Sequence, residues 1–221
     1  IHALVTSGPT QEPIDPVRFI ANRSSGKQGH AIARAAARQG AKVTLVSGPT
    51  ALPDPIGVNT IHVTTAREML SACEDSLPAD VAVCCAAVSD WRPLEIAGQK
   101  IKKNADAANA RPGVELVENP DILATLAALT GGRPRLVIGF SAETQNMIQY
   151  ASQKLAQKGC DWILANDVSA NMGTFGGDEN TVTLLRADSA GKVQSEDWAR
   201  SSKEVVAERL IAEIATAIRA A

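Results

Sequence analysis

Short apolar runs alternate with amphipathic stretches along the first half of the chain. Ala3–Ser7, Lys42–Ser47, Val58–Val63 and Val81–Ala86 are rich in Val, Ile, Leu and Ala, and most of them end at a polar or glycine-containing turn. That pattern predicts strands. Gly26–Gln39 instead places Ile32, Ala33, Ala36 and Ala37 on one face, with Arg34 and Arg38 elsewhere. It predicts a helix whose small residues allow close approach to a sheet and which stops at Gly40. Gly48–Pro55 is a Pro-rich turn. Thr65 followed by Glu68 is a capping box, predicting a helix to about Ser76. Val81–Ala86 is apolar at nearly every position, as expected of a central strand covered on both faces.

The rhythm breaks at residues 89–118. This stretch holds Asp90, Trp91, Arg92, a Lys-Ile-Lys-Lys tract, an Ala/Asn/Asp-rich patch and a possible strand at Val114–Val117. It reads as an excursion from the main sheet, either a flap, a dimerisation hairpin or both. Asn119-Pro120-Asp121 then opens a helix through Leu129, with Pro120 suited to its first position. Arg135–Phe140 is a strand, Asn146–Lys158 a helix and Trp162–Ala165 a strand. Thr181–Leu185 alternates as a further strand, and Lys192-Val193 starts a short hairpin mate. Ser201 caps the last helix with Glu204 at the capping-box offset. Val206, Leu210, Ile214 and Ile218 line one face of it, with Ile211 beside them. The expected architecture is α/β, a Rossmann-like three-layer sandwich with a mostly parallel central sheet and a late antiparallel edge.

Composition narrows the function. The 221 residues fit one domain, residues 1–221, and 45% hydrophobic content suffices for its core. Aromatics are only 3%, so that core is aliphatic. A net charge of -2 argues against a general nucleic-acid binder, though not against a local basic site for phosphates. No apolar run is long enough to span a bilayer, so no membrane partner is expected. The N-terminus opens almost directly into a strand, which suggests a piece of a longer protein. Four cysteines occur without a CxxC, and Cys84 and Cys85 adjoin in a strand. Free, buried thiols in a reducing, cytoplasmic setting are expected. The three histidines have no zinc spacing.

The candidate chemistry lies at predicted strand ends. After the first strand, Gly8 brings backbone close to a ligand, and Asn22, Ser24, Ser25 and Gly26 precede a helix whose exposed N–H groups attract an anion. Either serine equally serves as a plain helix cap. Arg18 suits a carboxylate or phosphate, and Asn22 can donate its amide to a carbonyl or oxyanion. The loop lacks both GxGxxG and GxxxxGK[ST]; Gly26 and Gly29 instead let the helix start lie near ligand or sheet. After the fourth strand come Ala86, Ala87 and Asp90: small residues that leave room, and a carboxylate for a ribose hydroxyl, a base, a metal-bound water or simply a turn. Lys100, Lys102 and Lys103 are a phosphate clamp or a solvated charge run. Asp121, between Pro120 and Ile122-Leu123, either caps a helix or reads a base edge. Phe140 stacks on a base or fills the core. Lys154 and Lys158, one helical turn apart, face an anion or solvent. Ala165-Asn166-Asp167 ends another strand. Acidic residues near such ends make Mg²⁺ plausible, without assignable metal ligands.

These same motifs closely resemble those of the phosphopantothenoylcysteine synthetase family, in its bacterial form. The resemblance spans the chain: Thr6-Ser7-Gly8-Pro9-Thr10-Gln11-Glu12-Pro13-Ile14-Asp15 through Asn22-Arg23-Ser24-Ser25-Gly26-Lys27, Ala86-Ala87-Val88-Ser89-Asp90-Trp91, Lys100-Ile101-Lys102-Lys103, Asn119-Pro120-Asp121-Ile122, Gly139-Phe140-Ser141-Ala142-Glu143-Thr144 and Ala165-Asn166-Asp167. It implies a CTP-dependent ligase joining 4'-phosphopantothenate to L-cysteine through an acyl-cytidylate, with Mg²⁺ assisting. Asn22 would hold the acyl intermediate and serve the cysteine step, with Arg18 in the same site. Lys100, on a mobile flap, would serve activation. Asp90, Pro120 to Leu123, Phe140, Lys154 and Lys158 would bind nucleotide. The resemblance further implies a homodimer contacting through the excursion, and fusion to a flavin-dependent decarboxylase whose FMN lies outside this chain. Gln11 and Trp91 vary beside the matched residues. No protein base for the cysteine amine is assigned.

Two other readings remain at this stage. Tyr150 and Lys154 have the Tyr-x-x-x-Lys spacing of a short-chain oxidoreductase, but the opening glycines fit a dinucleotide badly. A non-enzymatic nucleotide sensor would bind nucleotide and release no pyrophosphate.

Overall fold

The computed structural model describes residues 1–102, 113–143, 145–167, 177–187 and 192–220. An eight-stranded sheet forms the centre, in the order β12-β11-β10-β9-β6-β1-β4-β5. Its parallel part comprises β1 (His2–Ser7), β4 (Lys42–Ser47), β5 (Asn59–His62), β6 (Val81–Cys84), β9 (Leu136–Glu143) and β10 (Trp162–Asp167). β11 (Glu179–Ala187) and β12 (Val193–Ser202) add the antiparallel edge. Ranked by first appearance, the parallel strands run 3-2-1-4-5-6, the order of a doubly wound sheet whose direction of growth reverses between β1 and β6.

Helices flank this sheet, and strand alternation dictates how. Val5 and Ala3 join one cluster with Ile32, Ala33 and Ala36 of α1 (Lys27–Arg38) and Val206, Leu210 and Ile214 of α5 (Lys203–Ala220). Leu4, between them, joins a second cluster with Met69 and Cys73 of α2 (Ala66–Asp75) and Leu126 of α3 (Ile122–Ala127). Successive side chains point to opposite faces, so a strand covered on both sides is apolar throughout. A third cluster joins α3 to Ala151 and Leu155 of α4 (Met147–Lys158). The core is mainly aliphatic, as expected, but Trp162 and Trp198 are also buried in it.

Local signals explain most boundaries. The Thr65–Glu68 capping box forms in full at the start of α2. Helix α1 begins at Gly26, which takes φ 73, a conformation that favours glycine. A Cβ on Gly29 would lie 2.5 Å from Ser7 Oγ, so this glycine brings α1 down onto β1. Some expectations need correction. Pro120 is not the first residue of α3: Asp121 caps that helix, whose N–H of Ala124 donates to Asp121 Oδ1 at 2.9 Å. Ser202, not Ser201, takes the N–H of Val205 at the start of α5, because Ser201 Oγ donates backwards to Ala199 O. The mate of β11 is not short: β12 has 10 residues.

Two small antiparallel pairs leave the main sheet. β2 (Gln11–Pro13) pairs with β3 (Phe19–Ala21), and β7 (Trp91–Pro93) with β8 (Leu116–Glu118). The second pair occupies the predicted excursion, with its return strand at 116–118. The two pairs adjoin, and the N–H of Ala97 donates to Ile14 O at 3.0 Å. Lys103, the Ala/Asn/Asp-rich patch, Thr144 and the 171–176 stretch lie outside the described residues. No helix among the described residues is long and apolar enough to cross a membrane.

Candidate active site

Where the sheet reverses direction, the ends of β1 and β6 separate and the chains leaving them open a crevice, the usual ligand position in such a fold. A cleft of about 870 Å³ lies there. The two departing segments are stitched together below it. Ala87 N donates to Gly8 O at 2.9 Å, Ala86 N to Thr6 Oγ1 at 3.1 Å and Ser89 N to Thr10 Oγ1 at 3.0 Å. These bonds use up the backbone groups of the small-residue segment and hold it against β1. Asn22 spans the gap from the other side, its Nδ2 donating to Val88 O at 2.8 Å.

One wall is the loop and the start of α1. Asn22, Ser24, Ser25 and Lys27 line it. Neither serine caps the helix: Ser24 Oγ accepts from Gly26 N at 3.3 Å, shaping the turn, and no side chain caps the first turn of α1. The positive end of the helix dipole therefore faces the cleft without a side-chain cap. Lys27 pairs with Asp178 at 2.6 Å, which draws the Asp178 carboxyl below its usual range.

The opposite wall gathers the residues expected to hold nucleotide. Ala86, Ala87, Asp90, Pro120, Asp121, Ile122, Leu123, Phe140, Lys154 and Lys158 all line the cleft. Asn119 joins two of these motifs, its N–H donating to Asp90 O at 2.9 Å and its Nδ2 to Ser89 O at 2.8 Å. Asp121 uses one oxygen as the α3 cap and the other to pair with Lys158. Lys154 donates to Ser141 Oγ at 3.4 Å, a long bond that restrains it weakly. Phe140 packs against the core and also lines the cleft. Asn166 also lines it. Tyr150 does not, which separates it from Lys154 and weakens the oxidoreductase spacing.

Gly8, Arg18 and Lys100 stand outside the lining. A Cβ on Gly8, at φ 76, would lie 2.9 Å from Gly48 O, so its close approach is to protein. Arg18 clamps Asp15 with Nε at 3.0 Å and with Nη2, and Nη2 also donates to Ile101 O at 2.9 Å. Asp15 in turn accepts from the N–H groups of Val17 and Arg18, each at 2.9 Å, and of Ile101 at 3.2 Å. The Arg18 guanidinium and these N–H donors hold the Asp15 carboxyl far below the usual carboxylate range. Arg18 and Asp15 thus anchor the residue beside Lys100, which is itself exposed.

No protein nucleophile emerges. The four cysteines are free. Cys84 and Cys85 are not fully buried as expected: β6 ends at Cys84, and both reach the cleft. Their low-dielectric surroundings still push both thiols up, Cys85 to about 12, away from the reactive thiolate. His30 is buried behind Ser7, and burial pulls its pKa down.

The structure also brings in Lys203 and Asn180, which sequence patterning passed over. Each had a faint signal. Lys203 puts a cation in the first turn of a helix, where the dipole disfavours it. Asn180 opens a strand that is otherwise largely apolar inward.

Residues 1–218 match the DNA/pantothenate metabolism flavoprotein C-terminal domain family. The coenzyme A biosynthesis bifunctional protein CoaBC of Vibrio parahaemolyticus is 50% identical over 186 residues, which are 84% of this chain and 46% of that protein. The CoaBC protein of Escherichia coli is 45% identical over 98% of this chain and 52% of its own length. The chain therefore spans about half the length of these curated relatives. A crystal structure of the C-terminal domain of a CoaBC protein superposes with a TM-score of 0.80 at 38% identity, covering 100% of this chain and 96% of that one. The chain thus belongs to the DNA/pantothenate metabolism flavoprotein C-terminal domain family, that of the phosphopantothenoylcysteine synthetase domains of CoaBC proteins.

Proposed function

We propose that this cleft ligates 4'-phosphopantothenate to L-cysteine at the expense of CTP, through a 4'-phosphopantothenoyl-cytidylate. The observation behind this reading is a crevice rich in anion-binding groups and poor in nucleophiles. The uncapped start of α1 and the Lys154–Lys158 pair offer positive potential on facing walls, while the nearby thiols are held protonated. Carboxylate activation asks for this. The substrate carboxylate attacks the α-phosphorus of CTP and pyrophosphate leaves. The cysteine amine then attacks the activated carbonyl and CMP leaves. The protein positions the reactants and stabilises developing charge.

Asn22 sits between the two walls, where its amide exchanges the Val88 carbonyl for the oxygen of the activated acyl group. Asp121, Phe140, Lys154 and Lys158 hold the nucleotide. Lys100 supplies a cation to the activation step, and Arg18 acts as a positioning residue through its hold on Ile101. Mg²⁺ fits as a companion of the triphosphate rather than a resident of a protein cage. Among the described residues no cluster of three metal-ligating side chains occurs, and Mg²⁺ commonly keeps its waters and takes only one or two carboxylates. Asp90, exposed at the cleft, is the carboxylate that would hold the ion through a bound water, and the ion would supply neutralisation of phosphate charge.

The exposed apolar side chains on and beside the two small strand pairs, Phe19, Trp91, Leu94, Ile96 and Leu116, are proposed to pair with a second copy, giving a homodimer. Fusion to a decarboxylase domain follows by analogy with the bifunctional relatives. Incubation with CTP, Mg²⁺, 4'-phosphopantothenate and cysteine should release pyrophosphate and form 4'-phosphopantothenoylcysteine. Absence of pyrophosphate release would refute the ligase reading.

A further inference from the structure

Lys203 is an unusual lysine. It lies in the first turn of the 18-residue α5, only 9% exposed, at the edge of the cleft. Its Nζ donates to Gly177 O at 2.7 Å. An ammonium has three protons to donate, so one carbonyl does not satisfy it. Asp178 pairs with Lys27, and no carboxylate among the described residues forms an ion pair with Lys203. Burial pulls the Lys203 pKa down and the neighbouring Lys27 cation adds to that, while Asp178 opposes them only at longer range. A largely buried cation with no ion pair of its own is costly to keep.

A second observation points the same way. Asn180 is 5% exposed and also lines the cleft. Its Oδ1 is buried and has no hydrogen-bond partner among the described residues, while its Nδ2 reaches Gln28 Oε1 at 3.4 Å. Strand β11 shifts register against β12 between Asn180 and Val182. Such irregularities re-aim side chains next to sites. Gln28, 9% exposed in the first turn of α1, bonds the Lys203 carbonyl through Nε2 at 3.1 Å. The starts of α1 and α5 are thereby fastened side by side, and both present N-terminal dipole ends to the same corner.

We propose that Lys203, with Asn180 and Gln28, forms a phosphoryl-binding subsite on the α1/α5 wall of the cleft. Its ligand is a terminal phosphoryl group: the polyphosphate end of the nucleotide or the phosphate monoester of the acyl substrate. The choice of these ligands rests on the ligase reading; the subsite does not.

Calorimetric titration separates the cases. Wild-type protein, Lys203→Met and Lys203→Arg are titrated with inorganic pyrophosphate and, separately, with 4'-phosphopantothenate, and with cytidine as a phosphate-free control. Lys203→Met should weaken one phosphorylated ligand by roughly ten- to a hundredfold, the scale of a lost charge-assisted hydrogen bond. Lys203→Arg should retain most binding, and cytidine should be unaffected. Loss confined to pyrophosphate assigns the nucleotide end; loss confined to 4'-phosphopantothenate assigns the monoester. Unchanged affinity for both ligands, with only a lower melting temperature, would reduce Lys203 to a structural pin and overturn the proposal. So would failure of both ligands to bind wild type. Should Lys203→Met not fold, Asn180→Asp serves instead: its added carboxylate should repel the same ligand, and equal affinity would overturn the proposal. Phosphate binding that depends on Lys203 in a protein releasing no pyrophosphate would sink the ligase reading and leave the subsite standing.

Discussion

Under the proposed ligase reading, Asn22 and Lys100 would serve different half-reactions, which single side-chain changes can separate. Asn22 bridges the walls where an acyl carbonyl would sit, so Asn22→Ala should still form the cytidylate but convert it with cysteine about 10²–10³ times more slowly, the usual effect of losing an oxyanion donor. Trapping the intermediate by mass spectrometry checks this; full conversion would remove Asn22 from that role. Lys100→Ala should slow cytidylate formation itself, read as pyrophosphate burst in the absence of cysteine. Asp15 makes a different prediction. Its carboxyl is depressed by Arg18 first and by backbone donors next. A depressed group contributes stability that is full above its unfolded value, about 3.9, and is lost as pH falls through the folded value. Asp15→Asn should therefore lower the melting temperature at pH 7, and the difference from wild type should shrink as the pH is taken below about 4. A constant difference across that range would contradict the ionic origin of the effect. These partnerships also mark where sequence reading stops. Arg18 reads as a ligand-binding cation because its type suits phosphate. That Asp15 claims it follows only from a turn that brings the two together and from a contact to Ile101, distant in the chain. The Asp121–Lys158 pair is similarly out of reach of spacing rules, since α3 and α4 lie far apart in the sequence and pack together only once the sheet has assembled.

At the scale of elements, apolar runs and capping signals were legible because they are local. β1, β4 and β6 are apolar through both faces, and Thr65 with Glu68 caps α2 in full. Site motifs were legible for a related reason: polar residues just after apolar strands mark the carboxyl edge of a parallel sheet. Lys203 and Asn180 were not, because the antiparallel edge and the last helix enter the cleft only after the sheet is assembled. Helix α1 depends on a contact that a single atom would spoil. Gly29 faces Ser7, and an added Cβ would also meet Ser7 Cβ at 2.6 Å. Gly29→Ala gains helix propensity but overpacks this contact, a conflict that costs about 1–3 kcal/mol. The helix must lift from β1, taking Ser24–Lys27 with it. Denaturant unfolding should show a net loss of stability, and kcat should fall with it. A variant as stable and active as wild type would mean that β1 and α1 yield without cost.

For the molecule as a whole, five of the exposed large apolar side chains lie on or beside the two small strand pairs, which adjoin. Phe19 at 51% exposure comes from β3, Leu94 at 53% and Ile96 at 54% follow β7, and Trp91 and Leu116 belong to β7 and β8. Exposed apolar side chains on neighbouring elements are the kind of feature that an association surface would explain. They lie on segments that add nothing to the three main core clusters, so chain folding alone gives no reason for their apolar character. A second copy of the same surface is the self-complementary partner that a two-fold dimer requires. Light scattering on the wild type should then give twice the chain mass. Leu94→Glu combined with Phe19→Glu would place carboxylates in that contact, and roughly 3 kcal/mol of lost association would raise the dissociation constant about a hundredfold. The double variant should run as a monomer with an unaltered far-ultraviolet spectrum, since neither residue belongs to the main core. Because the same excursion leads to Lys100, loss of the contact should slow cytidylate formation more than conversion of a preformed cytidylate. A wild type that stays monomeric at high concentration, or a double variant that stays dimeric, would place the subunit contact elsewhere and leave these side chains to another partner.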